Sequence, residues 1–544
     1  MEDFWVQRVG ELERAVSEGL ARWFEWVAHG GYLSEAWPDS APRITLSELA
    51  QLEGEIEAYR ALAHLERKAP RSILPAPSAA ELKARLASRG GLTIAIVSYH
   101  TNPLYAIRER VREEEGIEID LYDQGGQGTY QERLAYNLAE EFGVNVFSFT
   151  LARSYLTKER YLNIHPKAPV IPIPNRSGRF VEDETGLVKK ENLYFIIDDL
   201  VDATLDYLLK NDIQIDIFSG HYATGVAACR RLRRRYEELK KGKALFSATT
   251  HSLGWNKFVN IANRCSLDEL RELNLDRRLR EERRGFQEAD LVITVSPMEM
   301  ETVTHPSLYG VSSEKVVSIP GGVDGSLFRP YDPHRDRECI EALRHSWGIA
   351  EDERVILMVG RLWDYKRKGV DTGIEVCALL QREAGDRLKF VFVGLPPEGH
   401  PNRRKIESLI RRAGIWENSV LVELVPHEQI PAWLQLAARS KGVVLALPRT
   451  EPWGLANLEA MAVGNVVITI NKEGPTYYIV DGENGILVDR QDIRRIKDRI
   501  LEVLHDEALA RRIREKAHLS AQDHSWEGVA RRFLWAHLRL MKER

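Results

Sequence analysis

From residue 92 onward the chain alternates short apolar runs with helical patterns. "LTIAIVSYH" (92–100), "VNVFSFT" (144–150), "IDIFSGH" (215–221), "ALFSATTH" (244–251) and "LVITVS" (291–296) are each apolar along their length and polar at their far end. Such runs predict strands buried on both faces of a parallel sheet, because crossover helices cover both sides. The pattern stops near residue 330 and begins again with "RVILMVGRL" (354–362), "LKFVFVGL" (388–395), "SVLVELVP" (419–426), "GVVLALPRT" (442–450) and "NVVITI" (465–470). The expectation is an α/β protein with two Rossmann-like, doubly wound domains facing a cleft. Their polar strand ends would line the rims where open α/β sheets bind ligands.

The flanks read differently. Trp5, Val9, Leu12, Val16, Leu20, Trp23 and Val27 recur at helical steps, and a second helix is expected in "TLSELAQLEGEIEAYRALAHLERK" (45–68), capped by Thr45 or Ser47. The three prolines of "APRSILPAPSAAEL" (69–82) mark a linker. The expected organisation is a helical extension and linker over 1–90, a first domain over 91–335, a second over 336–523 and a terminal amphipathic helix over 524–544.

Composition narrows the class. At 544 residues and 44% hydrophobic, the chain exceeds one ordinary core and is globular. Its 76 basic and 81 acidic residues are spread along the whole length, giving a formal charge of −5 and no overall field favouring nucleic acid or an anionic membrane. The densest basic run, "CRRLRRRYEELKKGK" (229–243), reads first as a solvated helix face. Cys229, Cys265, Cys339 and Cys377 lie far apart, which fits neither a disulfide framework nor a structural zinc. The acidic start and the lack of a long apolar run predict a cytoplasmic protein without a transmembrane segment.

Candidate chemistry gathers in the second domain. In "RTEPWGLANLEAMAVGNVVIT" (449–469), Glu451 follows a strand and Glu459 lies on the helix after it. Both carboxylates suit sugar or ribose hydroxyls, while Gly454 and Leu455 would offer helix N-terminal amides to a phosphate. "VGRLWDYKRKGVD" (359–371) ends a strand and supplies Arg361, Lys366, Arg367 and Lys368, a cluster suited to a diphosphate.

Gly360-Arg361 through Lys366, Glu451-Pro-Trp-Gly-Leu through Leu458-Glu459-Ala-Met-Ala, and "EGPTYYIVDGENGILVD" together resemble the retaining nucleotide-sugar glycosyltransferases of family 4, with GT-B architecture. The two acids are similar to that family's E-x7-E motif, and "IPGGVDGSLFRP" (319–330) is similar to its interdomain segment. "DQGGQGTYQERLAYNLA", "DIFSGHYATGVAACRRL" and "TTHSLGWNKF" resemble the sucrose-phosphate synthase and sucrose synthase branch. Residues 1–90 match no motif of that family.

The resemblance implies a role for each group. Arg361 and Lys366 would neutralise the donor diphosphate, with Lys368 as the second choice because an extra Arg-Lys precedes Gly369. Glu459 would hold the ribose, and Glu451 the donor sugar near the reacting centre. His221 would contact the donor. Gly125, Gly126 and Gln127 would form a loop beside the phosphates. His251, Asn256 and Lys257 would serve the acceptor. Apart from the resemblance, the prolines and arginines of 167–186 read either as a stiff basic loop bringing Arg176 and Arg179 to the acceptor or as a solvent-exposed loop with incidental arginines. Trp255 stands where that branch carries Arg, and Tyr477 where many relatives carry Glu.

The implied function is hexose transfer from UDP-, GDP- or ADP-hexose to a small acceptor such as a sugar, a sugar phosphate or a glycerate-like compound. Retention would proceed without a protein nucleophile. No metal and no cofactor beyond the nucleotide-sugar co-substrate is expected, "IDDLVD" (197–202) reading as helix and not as a metal site. The N-terminal stripe would need a partner surface, on the first domain or in a homo-oligomer. The competing reading is a noncatalytic glycosyltransferase-like partner protein. A dinucleotide oxidoreductase lacks its glycine fingerprint after a strand.

Overall fold

The computed structural model describes residues 14, 18–22, 24–25, 74–101, 126–154, 156, 163–239, 242–261, 272–384 and 387–542. They form an α/β protein of two compact units, 1–320 with 530–544, and 321–529. The division falls at 320/321, and the last turns of the C-terminal helix Trp526–Lys542 belong to unit 1. Among the described residues no helix is long and apolar enough to cross a membrane.

Unit 1 is built on β1 (Thr93–Val97), β2 (Asn145–Leu151), β3 (Asn163–His165), β4 (Ala168–Ile173), β5 (Ile217–His221), β6 (Leu245–Thr249), β7 (Leu291–Thr294) and β8 (Val316–Ser318). Their order is β3-β4-β2-β1-β5-β6-β7-β8, parallel throughout except for the antiparallel β3/β4 edge. β5 and β6 are buried at every position, which is why they read as unbroken apolar runs. The expected basic loop over 167–186 needs correction in its first part. Residues 168–173 are β4, paired with β2 from Ser148↔Val170 to Leu151↔Ile173 despite Pro169 and Pro172, so the loop begins only at 174.

Unit 2 contains β9 (Arg354–Val359), β10 (Leu388–Leu395), β11 (Ser419–Glu423), β12 (Val443–Ala446), β13 (Val467–Ile470) and β14 (Ile486–Val488), all parallel, in the order β11-β10-β9-β12-β13-β14. Each sheet therefore reverses its winding once. The chain leaves β1 for β2 on one side and places β5 on the other; it leaves β9 for β10 and places β12 opposite. Crossovers starting in opposite directions leave a crevice at the carboxyl ends of β1/β5 and of β9/β12.

The basic run of 229–243 lies mostly on the helix Tyr222–Glu238 and is paired with acids. Arg230 and Arg231 bind Glu281 at 3.3 and 2.9 Å, Arg233 binds Asp290 at 3.2 Å, and Arg235 binds Asp198 at 2.9 Å as well as Asp202. "IDDLVD" opens the helix Ile197–Lys210, and its acids are partners in this packing.

Of the N-terminal stripe, Leu20 packs against the unit 1 core, and Phe24, one turn further on, is fully buried within it. Trp5, Val9, Leu12, Val16, Trp23 and Val27, and the second helix expected near 45–68, lie outside the described residues.

Candidate active site

In unit 2 the crevice between β9 and β12 is set by two close backbone approaches. Gly394 has φ +98°, and a Cβ there would sit 1.9 Å from the Gly360 carbonyl; a Cβ on Gly369, at φ +71°, would sit 1.7 Å from the Leu447 carbonyl. Only glycine fits at either place. Residues 361–369 are thereby pinned between the ends of the two strands. The Arg449 N–H donates to the Arg367 carbonyl at 2.7 Å, and Arg449 Nε to the Lys366 carbonyl at 3.0 Å.

The pinning decides which lysine faces the acid. Lys368, next to Gly369, reaches Glu451 Oε2 at 3.0 Å, with both side chains about a quarter exposed. Lys366 is exposed and takes part in the Arg449 contact through its backbone. Arg361 is half-buried just past the end of β9.

Glu451 is held from behind. Its N–H donates to the Glu473 carboxylate, and its carbonyl accepts from Gly474 N–H at 3.1 Å. Burial raises the Glu473 pKa, with the Glu451 N–H hydrogen bond opposing. Gly454 takes φ +94° at the N-cap of the helix Leu455–Ala462. A Cβ there would lie 2.8 Å from the Tyr478 hydroxyl, which donates to the Trp453 carbonyl at 2.9 Å. Glu459, on that helix, accepts a hydrogen bond at Oε1 from His427 Nε2 at 2.8 Å, and the His427 ring lies 5.1 Å from Phe328.

In unit 1 the crevice between β1 and β5 is lined by imidazoles. His221, the last residue of β5, is fully buried; its Nδ1 lies 2.9 Å from His251 Nε2 and its Nε2 3.2 Å from Ser219 Oγ. Burial draws the His221 pKa down to about 3, with His537 adding to the shift. Burial likewise takes His251 well below its usual range, with His221 and His100 adding. The pair is therefore a hydrogen bond between neutral rings, one N–H donating to the other's lone pair.

His100, just beyond β1, joins this group. Its Nε2 lies 3.2 Å from Gln127 Oε1 and its Nδ1 3.3 Å from Thr224 Oγ1, while Gln127 Nε2 donates to Ser98 Oγ at 3.1 Å. Tyr130 meets the His251 ring edge-on at 5.0 Å. Gly126 and Gln127 are not loop residues as expected. They open the helix Gly126–Phe142, whose first turn brings the Gln127 amide to the end of β1; Gly125 lies outside the described residues.

The residues expected at the acceptor are dispersed by their contacts. Asn256 and Lys257 lie on the helix Gly254–Ile261. Lys257 pairs with Glu191 at 3.3 Å, and burial, with Arg278 adding, draws its pKa down to about 8 against that pairing. Arg176 pairs with Asp206 at 2.6 Å on an exposed surface, and Arg179 covers the Phe180 ring at 5.0 Å. The sequence reading did not single out His100, Tyr130, Thr224, His427 or Glu473. His100 carried the signal that marked His221, a histidine ending an apolar strand run; Tyr130, Thr224 and Glu473 lie within the stretches that resemble the family, and His427 carried neither signal.

Residues 340–519 match the family described as "Glycosyl transferases group 1", and residues 124–327 that described as "Glycosyltransferase Family 4". The chain is a GT-B glycosyltransferase of group 1. Its relatives among these glycosyltransferases include the mannosylfructose-phosphate synthase of Agrobacterium fabrum, 24% identical over 76% of this chain and 86% of that protein. They also include a D-inositol 3-phosphate glycosyltransferase of Corynebacterium efficiens, 24% identical over 81% and 93%. The solved sucrose-phosphate synthase of Thermosynechococcus elongatus shares the fold, with a TM-score of 0.64 at 23% identity, covering 83% of this chain and 100% of that one. The group 1 match spans β9 to β14 and so includes Arg361, Lys368, Glu451 and Glu459; the family 4 match includes Gln127, His221 and His251.

Proposed function

We propose that the protein transfers a hexose, with retention of configuration, from a nucleoside-diphosphate sugar to a small hydroxylated acceptor. The observation that carries this reading is the Lys368–Glu451 pair at 3.0 Å, with Arg361 just past the end of β9 and Glu451 four residues ahead of the helix Leu455–Ala462 in sequence. Cations and helix amides answer a diphosphate, and a carboxylate beside them answers sugar hydroxyls.

Glu459 takes the ribose hydroxyls, with His427 fixing the carboxylate. Glu451 holds the sugar. As the bond from the anomeric carbon to the phosphate oxygen breaks, negative charge grows on the leaving diphosphate, and Arg361 and Lys368 stabilise it more in the transition state than in the ground state. The acceptor oxygen bonds to the anomeric carbon on the same face and passes its proton to the departing phosphate oxygen. Nucleoside diphosphate and glycoside are released. The charge is met by these basic side chains.

In unit 1, we assign the neutral His221–His251 pair to hydroxyl recognition, His221 for the donor sugar and His251 for the acceptor, since each ring supplies a donor or an acceptor without a charge. The names of the relatives all contain a sugar or cyclitol phosphate. That supports a free or phosphorylated sugar or polyol as acceptor.

The test is a matrix of UDP-, GDP- and ADP-hexoses against free and phosphorylated sugars and polyols, read by product mass and anomeric proton coupling. A product with the donor's anomeric configuration is expected. An inverted product sinks the mechanism, and the absence of transfer from every donor, together with no nucleotide binding, would leave the noncatalytic partner reading.

A further inference from the structure

Phe24 lies far from the motifs in sequence, yet it is buried against the residues that hold the two histidines of unit 1. Its ring lies 5.6 Å from Trp255 and 5.1 Å, edge-on, from Tyr309. Arg283 covers it at 5.4 Å and pairs with the neighbouring Glu25. Behind this aromatic layer the contacts turn polar. The Tyr309 hydroxyl donates to Glu282 Oε2 at 2.5 Å and accepts from Trp255 N–H at 3.3 Å. Glu282 accepts Gly254 N–H on both oxygens, at 3.1 and 2.9 Å, and pairs with Arg278 at 2.8 Å, the two side chains being 1% and 3% exposed.

Arg278 then divides its guanidinium between the first residue of the helix Tyr222–Glu238 and the turn after β6. Nη1 donates to the Tyr222 hydroxyl at 2.6 Å, while Nη2 donates to the Ser252 carbonyl at 2.8 Å and to Ser252 Oγ at 3.1 Å. Tyr222 follows His221, and Ser252 follows His251. Tyr222 and His251 both have left-handed backbones, with φ of 66° and 59°. Such conformations persist in non-glycine residues only where the surroundings hold them. Here the holding group is a buried ion pair, whose hydrogen bonds are strong only while water is kept out.

We propose that Phe24 is a positioning residue. By sealing the outer side of the Trp255–Tyr309–Glu282–Arg278 network, the N-terminal helix fixes the loop carrying His251 and the residue after His221. This rests on the proposed glycosyl transfer. It also gives Trp255 a reason for standing where the resembling branch carries arginine, since a ring at that position packs, tilted, against Phe24 where a guanidinium would need a charge partner.

The experiment uses full-length Phe24→Ala and Phe24→Leu, with hydrogen exchange of peptide 249–258, steady-state kinetics and calorimetric nucleotide affinity. Phe24→Ala is expected to speed exchange across 249–258, to lower kcat about tenfold and to leave nucleotide Kd unchanged, because Arg361, Lys368 and Glu459 belong to unit 2. Phe24→Leu, which refills most of the volume, is expected to recover most of the turnover. Faster exchange with kcat within twofold of the parent would overturn the inference, as would unchanged exchange. Should Phe24→Ala not fold, Arg283→Gln removes the guanidinium over the ring together with its Glu25 pair and is expected to give the same pattern in milder form; parental exchange and turnover in it would overturn the inference too. If the parent transfers hexose from no donor, the transfer reading fails by itself, and the exchange comparison still decides whether Phe24 controls the His251 loop.

Discussion

The first unit gathers its polar side chains where β1 and β5 part, and there they are enclosed and neutral. His221 is fully buried with a pKa drawn down to about 3. The second unit gathers its own where β9 and β12 part, and there they are charged and partly open, with Lys368 and Glu451 26% and 21% exposed. One topology thus hosts two electrostatic regimes. A buried imidazole surrenders its charge because desolvation outweighs any gain from ionising. A partly solvated ion pair keeps both charges and can exchange one partner for an incoming phosphate. The neutral site can sort hydroxyls by hydrogen-bond geometry, and the charged site can meet a leaving group whose charge rises during reaction.

The sharpest way to break this contrast is to remove charge from unit 2. Arg361→Ala and Lys368→Ala are each expected to lower kcat by about 10²- to 10³-fold, equivalent to about 2.7–4 kcal/mol of lost transition-state stabilisation. Lys366→Ala, at an exposed position, is expected to stay within about twofold on the scale of exposed substitutions. Steady-state turnover of the three variants decides, and a larger loss for Lys366 than for Lys368 would reverse the assignment.

A second comparison separates binding from chemistry. Glu459→Gln and His427→Ala are expected to weaken UDP, GDP or ADP binding by about tenfold or more, since a hydrogen bond to a charged group is worth about 1.5–3 kcal/mol. Calorimetric titration with each nucleotide measures this. Unchanged affinity for all three would remove the ribose role from Glu459.

The neutral site predicts a pH signature. The His221 pKa is about 3 in the fold against 6.5 for a free imidazole. The unfolded chain therefore binds more protons, and stability that is present above pH 6.5 is lost as pH falls toward 3. The slope is at most about 1.4 kcal/mol per pH unit for each such histidine. Urea unfolding at pH 7.5, 6 and 5 should show a shallower acid-side loss in His221→Gln than in the parent. Equal slopes would mean that the imidazole ionises in place.

The smallest effect is expected at the exposed loop. Arg176→Ala and Arg179→Ala should change acceptor KM by less than about twofold, because an exposed ion pair such as Arg176–Asp206 contributes about 0–1 kcal/mol. A large, salt-sensitive rise in acceptor KM alone would restore these arginines to the acceptor site.

Much of the scaffold was legible in the residues. All ten quoted apolar runs contain strands, because strands buried on both faces must be apolar throughout. β3, β8 and β14 span three residues each, too few to show any period, and the prolines of β4 gave the contrary signal. Within the sites, strand-end position pointed to His221 and Glu451. It could not point to His427, which sits on a short 3-10 turn 32 positions from Glu459. In the extension, one helical period passed through Leu20 and selected Trp23 as its next member, whereas Phe24, four residues on, enters the core.

Gly369 acts as the zero mark of a ruler. Its contact with the Leu447 carbonyl fixes where the loop ends, and Lys368 is measured back from that mark while Arg361 is measured forward from β9. Between the two marks the segment is itself tied down, the Lys368 N–H donating to the Asp364 carbonyl at 2.8 Å and Arg449 holding the Lys366 and Arg367 carbonyls. A motif spanning such a segment is two anchored half-motifs: counted from its start it reaches Lys366, and counted back from Gly369 it reaches Lys368.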